Sequence, residues 1–390
     1  MLLVARKNLF AERTRLAISV GGIALSVLLI MLLLSLYRGW DEKVGGFVEN
    51  SNVDVWIASE GAKDFLAAAS LLPIDDPTQG QAVRDVLDND PDIEQWSPLI
   101  VRQMEGVKVE IKSPGEEDVG KEMNLQFIGY DLDTELGGPI EIVDGRGDPG
   151  ADEVVVDESL RKRYGVDVDD IVRAGGVDWT VVGISKGGDF VATQTVFVNH
   201  DQARQALSMT DQTTFVVLQM KEGTDPEVWR EDFLRQQPLV AGKVVIFTSA
   251  EFAQNTRDRI LSNVIPILLM VLGLAFIVGL AVSGLTIYTA TVEKQREYGI
   301  LKAVGFKNSF LYRVVLEQSI VTGVLGFLIG VGTTILITLF ASDFVPHVVT
   351  YVRPIDVAFV ALVTLVMSAI AAYIPVRRLA SIDPVAVFKA

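Results

Sequence analysis

Four apolar runs constrain this chain more than any other feature. They extend from about Leu16 to Leu36, Val264 to Thr291, Leu311 to Phe340 and Val357 to Ile374. A transmembrane helix needs roughly 17–25 such residues. Three of the runs hold no charged residue, and only the third interrupts its apolar character, with Arg313 and Glu317. A backbone in lipid must satisfy its own hydrogen bonds, which a helix does within one segment. Everything between Arg38 and Arg259 is too polar to enter a bilayer. The expected fold class is therefore an α-helical membrane bundle of four transmembrane helices, with one large soluble domain inserted between helices 1 and 2.

Charge predicts the orientation. Arg6, Lys7, Arg13 and Arg15 precede the first run, and Lys294, Arg296, Lys302, Lys307 and Arg313 follow the second. The tail carries Arg377, Arg378 and Lys389, whereas the hairpin between the third and fourth runs offers only Arg353. Lys and Arg of short loops accumulate on the cytoplasmic side. Both termini are thus expected in the cytoplasm of a multi-pass plasma or inner-membrane protein, with residues 38–260 extracytoplasmic. The first run has no small-residue cleavage site after a short apolar region, and reads as a retained signal anchor.

Residues 38–260 hold 43 acidic and 21 basic side chains, a net charge of −22 that exceeds the −16 of the whole chain. Such a surface repels nucleic acid and bilayer phosphates. The chain has no cysteine, and a domain of this size can bury enough core to need no disulfide.

Within the insert, apolar and β-branched alternation predicts strands at Val53–Ala58 (half-buried), Val107–Lys112, Asn124–Tyr130, Glu153–Val156, Trp179–Ile184, Thr195–Val198 and Thr214–Gln219. Helical patterns occupy Gly80–Asp88, Glu158–Arg163, Asp201–Leu207 and Pro226–Gln236, three of them behind good caps at Asp157, Asn199 and Asp225. The mixture predicts an α+β domain. The Gly/Pro-rich stretch Gly137–Gly150 is the expected boundary if there are two subdomains.

Catalytic chemistry finds little support. The sequence contains no G-x-x-x-x-G-K-[ST] loop, so an ATPase of that class is not encoded in these 390 residues. His200 and His347 are the only histidines, and neither has a partner at zinc-ligand spacing. No G-x-S-x-G motif accompanies His200. The acidic clusters Asp75-Asp76, Asp88–Asp92 and Asp167–Asp170 do not fit a calcium-loop spacing and read as solvated turns. Catalytic residues and a metal site are therefore expected to be absent.

In the third run, Glu317 is expected either to make a helix or subunit contact or to lie at the interface. Gly323, Gly326 and Gly330 follow, the last two as G-x-x-x-G, a spacing that lets helix backbones approach closely. Pro266 is an expected kink in the second span.

The segment Val292–Gly305, VEKQREYGILKAVG, is a short charged helix pattern between two spans, stopped by a glycine. Glu293, Lys294, Arg296 and Glu297 supply a mixed-charge face, and Ile300, Leu301 and Val304 an apolar one. Topology alone would ask only for basic residues, whereas docking onto a soluble partner suits both faces. Glu293–Gly305 resembles the R-x-E-I-G-I-L-K-A-x-G signature of the MacB/FtsX-like ABC transporter permeases, with Tyr298 where isoleucine is usual. Pro375–Ala386 is similar to that family's P-x-R-R-A-x-x-x-D-P-x-x-A ending through Arg377, Arg378, Asp383 and Pro384. Gly150–Ile184 resembles a strand–helix–strand–hairpin unit of the MacB-like periplasmic core domain, which the expected α+β insert would then be.

The resemblance implies a bacterial permease subunit without catalysis of its own. A coupling helix comprising Glu293, Lys294, Arg296, Glu297, Gly299, Ile300, Leu301, Lys302 and Gly305 would meet a separate cytoplasmic ABC ATPase, which would hold the ATP and Mg; this chain itself would bind no cofactor. The implied partners are that ATPase, a second permease copy (identical or related), the lipid bilayer and an extracytoplasmic accessory protein. Closure of the ATPases would drive the extracytoplasmic domain by mechanotransmission, for export or release of a lipophilic or envelope-associated substrate. A membrane-anchored sensor or regulator of a cell-envelope enzyme is the alternative. The expected divisions are an amino-terminal amphipathic helix (1–15), helix 1 (16–37), the extracytoplasmic domain (38–260), helix 2 (261–291), the coupling helix and loop (292–310), helix 3 (311–340), a short outer hairpin (341–356), helix 4 (357–375) and a tail (376–390).

Overall fold

A computed structural model of the 390-residue chain describes residues 13–66, 70–75, 81–112, 119–174, 176–188, 193–209, 211–237, 244–344 and 351–380. Most of the expected amino-terminal helix, together with His347, Asp383 and Pro384, lies outside them. The chain divides into two compact units: Met1–Gly39 with Val264–Ala390, and Trp40–Asn263.

Among the described residues, four helices are long and apolar enough to cross a membrane: α1 (Arg13–Asn50), α6 (Ser249–Glu293), α8 (Asn308–Phe344) and α9 (Pro354–Ala380). Both chain connections between the units fall inside helices, α1 and α6. Helix α6 runs through Pro266 without an interruption.

The unit Trp40–Asn263 contains α2 (Gln81–Asp88), α3 (Glu158–Tyr164), α4 (His200–Ala206) and α5 (Pro226–Gln236). Its strands are β1 (Val55–Ser59), β2 (Ile93–Lys112), β3 (Val119–Tyr130), β4 (Glu141–Gly145), β5 (Glu153–Asp157), β6 (Ile171–Ala174), β7 (Val177–Lys186), β8 (Gln194–Asn199), β9 (Phe215–Met220) and β10 (Val244–Thr248). They form one mixed ten-stranded sheet in the order β10-β1-β9-β2-β3-β8-β5-β7-β4, with β6 joined to β2 and β7. The β3–β8 and β5–β7 pairs are parallel and the rest antiparallel. Strand β2 binds the halves together: Ile93–Leu99 pairs with β9, and from Ile100 onward the strand pairs with β3 across an irregularity between Met104 and Val107.

Two expectations about this unit are corrected. The Gly137–Gly150 stretch is not a boundary, because it contains β4, which joins the sheet through β7. Strand β1 is not half-buried: Val55, Trp56, Ile57 and Ala58 are all buried. It lies between β10 and β9, and its alternate residues enter different cores. Trp56 and Ala58 pack with Phe47, Phe65, Phe215 and Phe252, whereas Val55 and Ile57 pack with Leu72, Trp229 and Phe233. The polar member of the apparent alternation, Asp54, stands just before the strand and accepts the Met220 N–H at 2.8 Å.

Local chemistry sets the short helices. Asp157 accepts the Ser159 N–H at 2.9 Å, Asn199 the Asp201 N–H at 2.9 Å, and Asp225 the Glu227 N–H at 2.9 Å ahead of Pro226. Each bond satisfies an N–H that the first turn leaves open. Gly165 ends α3 at φ 76°, where a side chain would be strained.

The first turns of α6 enter the aromatic core of this unit. The Phe252 ring stacks on Trp56 with centroids 5.0 Å apart, and Trp56 Nε1 donates to Ser249 Oγ at 2.9 Å. Arg257 holds both Glu49 carboxylate oxygens, at 2.8 and 2.7 Å, and Nε donates to the Asp41 carbonyl at 3.1 Å. Gly45 makes room for it, since a Cβ there would stand 2.3 Å from the guanidinium carbon.

Candidate functional site

The transmembrane unit packs on small residues. A methyl at Gly326 would stand 2.7 Å from Ile23 Cβ, and one at Gly330 2.7 Å from the Ala24 carbonyl oxygen, so both seat α8 against α1. Gly323 faces α9 instead, where a methyl would stand 2.1 Å from Ser368 Oγ. One turn earlier, Ser319 Oγ donates to the Ser368 carbonyl at 2.6 Å. Gly279 on α6 leaves space for Ser26 and Met367 in the same way. With lipid as apolar as leucine, helices gain most from such close contact. Glu317 is half-buried, and forms no ion pair or side-chain hydrogen bond among the described residues.

At the other ends of the spans, Arg38 on α1 makes two hydrogen bonds to Asp356, at 3.2 and 3.1 Å. Asp356 is buried and lies in the first turn of α9, where the helix dipole favours a carboxylate. The Tyr351 N–H also donates to the Ser35 carbonyl at 3.0 Å.

The segment singled out in the sequence forms a short helix, α7 (Gln295–Ala303), separated from α6 by the single residue Lys294. Glu293 is therefore the last residue of α6 and Lys294 the cap of α7, so neither belongs to a helix continuous with Arg296, as the sequence reading had it. Lys294 sits at φ −89°, ψ 12°, and its carbonyl accepts the Tyr298 N–H at 3.1 Å. The chain thus turns there with little loss of helical bonding. Glu293 is engaged by Arg15 at 2.6 Å.

Gly305 ends the segment at φ 101°. Its N–H donates to the Lys302 carbonyl at 3.0 Å, and the Phe306 N–H to the Leu301 carbonyl at 3.0 Å. This paired bond is the usual glycine stop of an α-helix.

The apolar residues of α7 divide between two surroundings. Tyr298 is only 6% exposed and packs in a cluster with Ile287, Leu311, Val315, Ala371 and Ala372, and Leu301 lies half-buried against the same cluster. Burial pushes the Tyr298 phenol above its ordinary pKa. Gly299 is buried beside it. Ile300, by contrast, is 44% exposed, Val304 74% and Phe306 43%, among the exposed Arg296 and Glu297. Tyr298 is the anchor, a role the sequence pattern does not reveal, because packing sets which face of α7 meets the bundle. Arg377 and Arg378 lie on the last turns of α9. Among the described residues no group of three or more acidic or histidine side chains could hold a metal ion.

Comparison with known proteins agrees with this architecture. Residues 16–235, more than half of the chain, match the MacB-like periplasmic core domain, and residues 256–384 match the FtsX-like permease C-terminal domain. The chain belongs to the MacB-like permease family. This MacB-like permease is 24% identical over 245 residues to the macrolide export ATP-binding/permease protein MacB 1 of Yersinia pestis bv. Antiqua (strain Antiqua), covering 60% of this chain and 38% of that one. It is 22% identical to a probable export ATP-binding/permease protein of Pseudomonas fluorescens, over 97% of this chain and 58% of that one. It therefore spans less than two thirds of either relative. The crystal structure of the periplasmic region of MacB from Actinobacillus actinomycetemcomitans superimposes with a TM-score of 0.36 at 13% identity, over 52% of this chain and 93% of that one.

Proposed function

We propose that this MacB-like permease is the membrane subunit of an ABC transporter whose ATP hydrolysis occurs in a separate cytoplasmic chain. Helix α7 with Gly305 and Phe306 is the surface that chain grips. The observation that carries the reading is the division of α7. One side is fixed to the bundle through Tyr298 and Leu301, while Ile300, Val304 and Phe306 remain exposed beside Arg296 and Glu297. Water does not favour an apolar ridge on a charged helix, but a groove on a partner does. Since α1 and α6 are the connections to residues 40–263, movement of α7 reaches the extracytoplasmic unit through the helix that ends beside it. Mechanotransmission between paired permease copies, acting on a lipophilic or envelope-associated substrate, is the mode of action proposed for it. ATP and Mg belong to the partner, and both termini lie on its side of the membrane.

The test is gentle purification of the tagged protein from its native membrane, followed by mass spectrometry. A P-loop ATPase is expected in stoichiometric amount. It should be lost in a variant carrying Ile300→Asp and Val304→Asp, which alters exposed side chains and leaves Tyr298 in place. Glu297→Lys should weaken the association, and Glu293→Lys is the poorer probe because Glu293 is engaged by Arg15. Recovery of the chain without any ATPase, even after crosslinking in cells, would overturn the proposal in favour of an anchored extracytoplasmic module.

A further inference from the structure

A cavity of about 60 Å³ opens in the transmembrane unit beside α7, bounded by α1, the end of α6 and α8. One water needs about 10–15 Å³ by the same measure, so a polyatomic group fits. Its lining includes Arg15, Lys294, Ser19, Gln318 and Tyr298 on one hand and Leu16, Ile287 and Ala290 on the other.

Three features of this cavity converge on one ligand chemistry. First, Arg15 and Lys294 bring two positive charges to the lining, and Arg15 is also paired with Glu293 at 2.6 Å. Second, Ser19 is 4% exposed and its hydroxyl has no hydrogen-bond partner among the described residues. A buried hydroxyl left open in this way costs free energy that a bound acceptor would recover. Third, Arg15 immediately precedes the uncharged run Leu16–Leu36, which sets the cavity at the level where hydrocarbon gives way to headgroups. Ile18 and Leu285, each adjacent in sequence to a lining residue, are 58% and 66% exposed and offer an apolar path outward.

We propose that this cavity binds the phosphate of an anionic phospholipid, with Arg15 and Lys294 as its charge partners and the Ser19 hydroxyl as a donor. Basic pockets between transmembrane helices are suited to such headgroups. Occupancy would bridge α1 to the cap of α7, but the binding itself does not depend on the ATPase reading.

The full chain, purified in mild detergent, is titrated with phosphatidylglycerol, phosphatidylcholine or inorganic phosphate and read by native mass spectrometry. One phosphatidylglycerol per chain should be retained at concentrations where phosphatidylcholine is not. Lys294→Gln should lower its apparent affinity about five-fold, from about 1 kcal/mol per cation near a headgroup. Ser19→Leu, which fills the cavity, should abolish retention, while Lys307→Gln on the exposed loop should change nothing. Because Ser19→Leu could disturb packing, its melting temperature is compared with that of the parent, and Lys294→Gln supplies the independent arm. Equal retention of the two lipids, or retention indifferent to Lys294→Gln, would overturn the proposal. Stoichiometric inorganic phosphate that blocks lipid retention would overturn it in favour of a free-phosphate site.

Discussion

The two units of this protein solve the packing problem in opposite ways. Trp40–Asn263 hides large aromatic side chains, and few of its big apolar residues are strongly exposed, Leu71, Ile142, Val143 and Val228 among them. In the transmembrane unit, Ile267, Leu269, Met270, Leu274 and Ile277 on α6 alone are each at least 60% exposed, while an aliphatic core around Ile23, Val27 and Met31 is joined by close contacts at Gly279, Gly323, Gly326 and Gly330. The difference is the solvent. Water drives Trp56 and its neighbours inward, since burying apolar area is favourable there. Lipid does not, so the spans associate by fitting backbones together and leave their bulk facing outward.

This contrast can be broken by substitutions of opposite sense. Trp56→Ala removes the centre of a cluster that includes Phe65, Phe215 and Phe252, and should cost about 3–5 kcal/mol, read as a large loss in thermal stability of the unit Trp40–Asn263. A loss below about 1 kcal/mol would mean that the aromatic core does not hold this unit together. Gly330→Leu should cost about 1–3 kcal/mol through overpacking against Ala24 and Val27. Gly332→Leu, where nothing lies within 4 Å, should leave the melting temperature of the detergent-purified protein nearly unchanged. Equal effects at the two positions would show that close helix contact is not what the glycines provide.

The smallest expected effect is a pH dependence confined to the water-facing unit. Burial raises the Asp64 carboxyl above its ordinary value of 3.8, despite the Leu66 N–H that it accepts at 3.0 Å. A raised folded-state pKa means that the folded protein holds the proton more tightly than the unfolded chain. Its contribution is fully present below 3.8 and is lost as pH rises through the folded-state value. The stability difference between the parent and Asp64→Asn should therefore shift against the parent as pH rises above 3.8, then level off. A difference that stays flat with pH, measured by chemical denaturation at a series of pH values, would count against the buried carboxyl.

How much of this could be read from the sequence depended on whether the signal was local. The caps at Asp157, Asn199 and Asp225 and the stop at Gly305 were legible, because each is a bond within a few residues of the chain. Strands β4 and β10 were not: Glu141–Gly145 hides in a Gly/Pro-rich stretch, and Val244–Thr248 is defined by its pairing with β1 far earlier in the chain. The apparent alternation at Asp54–Trp56 misled for the same reason, since burial on both faces of β1 is decided by its neighbours in the sheet. In the site, the residues of α7 were found by pattern, but the outward and inward sides were assigned incompletely until Tyr298 was seen against Leu311 and Val315.

The sequence by itself determined that four helices are long and apolar enough to cross a bilayer, that an acidic α+β domain separates the first two, and that a charged segment ending in glycine joins the second to the third. These follow from hydropathy, charge and short-range backbone chemistry, which act over one span or one turn. Only the tertiary structure decided that Gly326 and Gly330 receive α1 while Gly323 receives α9, and that Tyr298 fixes α7 while Ile300 and Val304 stay exposed. It likewise gathered Arg15, Ser19 and Lys294 around one cavity. Those assignments depend on which surfaces meet, and residues hundreds of positions apart become neighbours only when the helices pack.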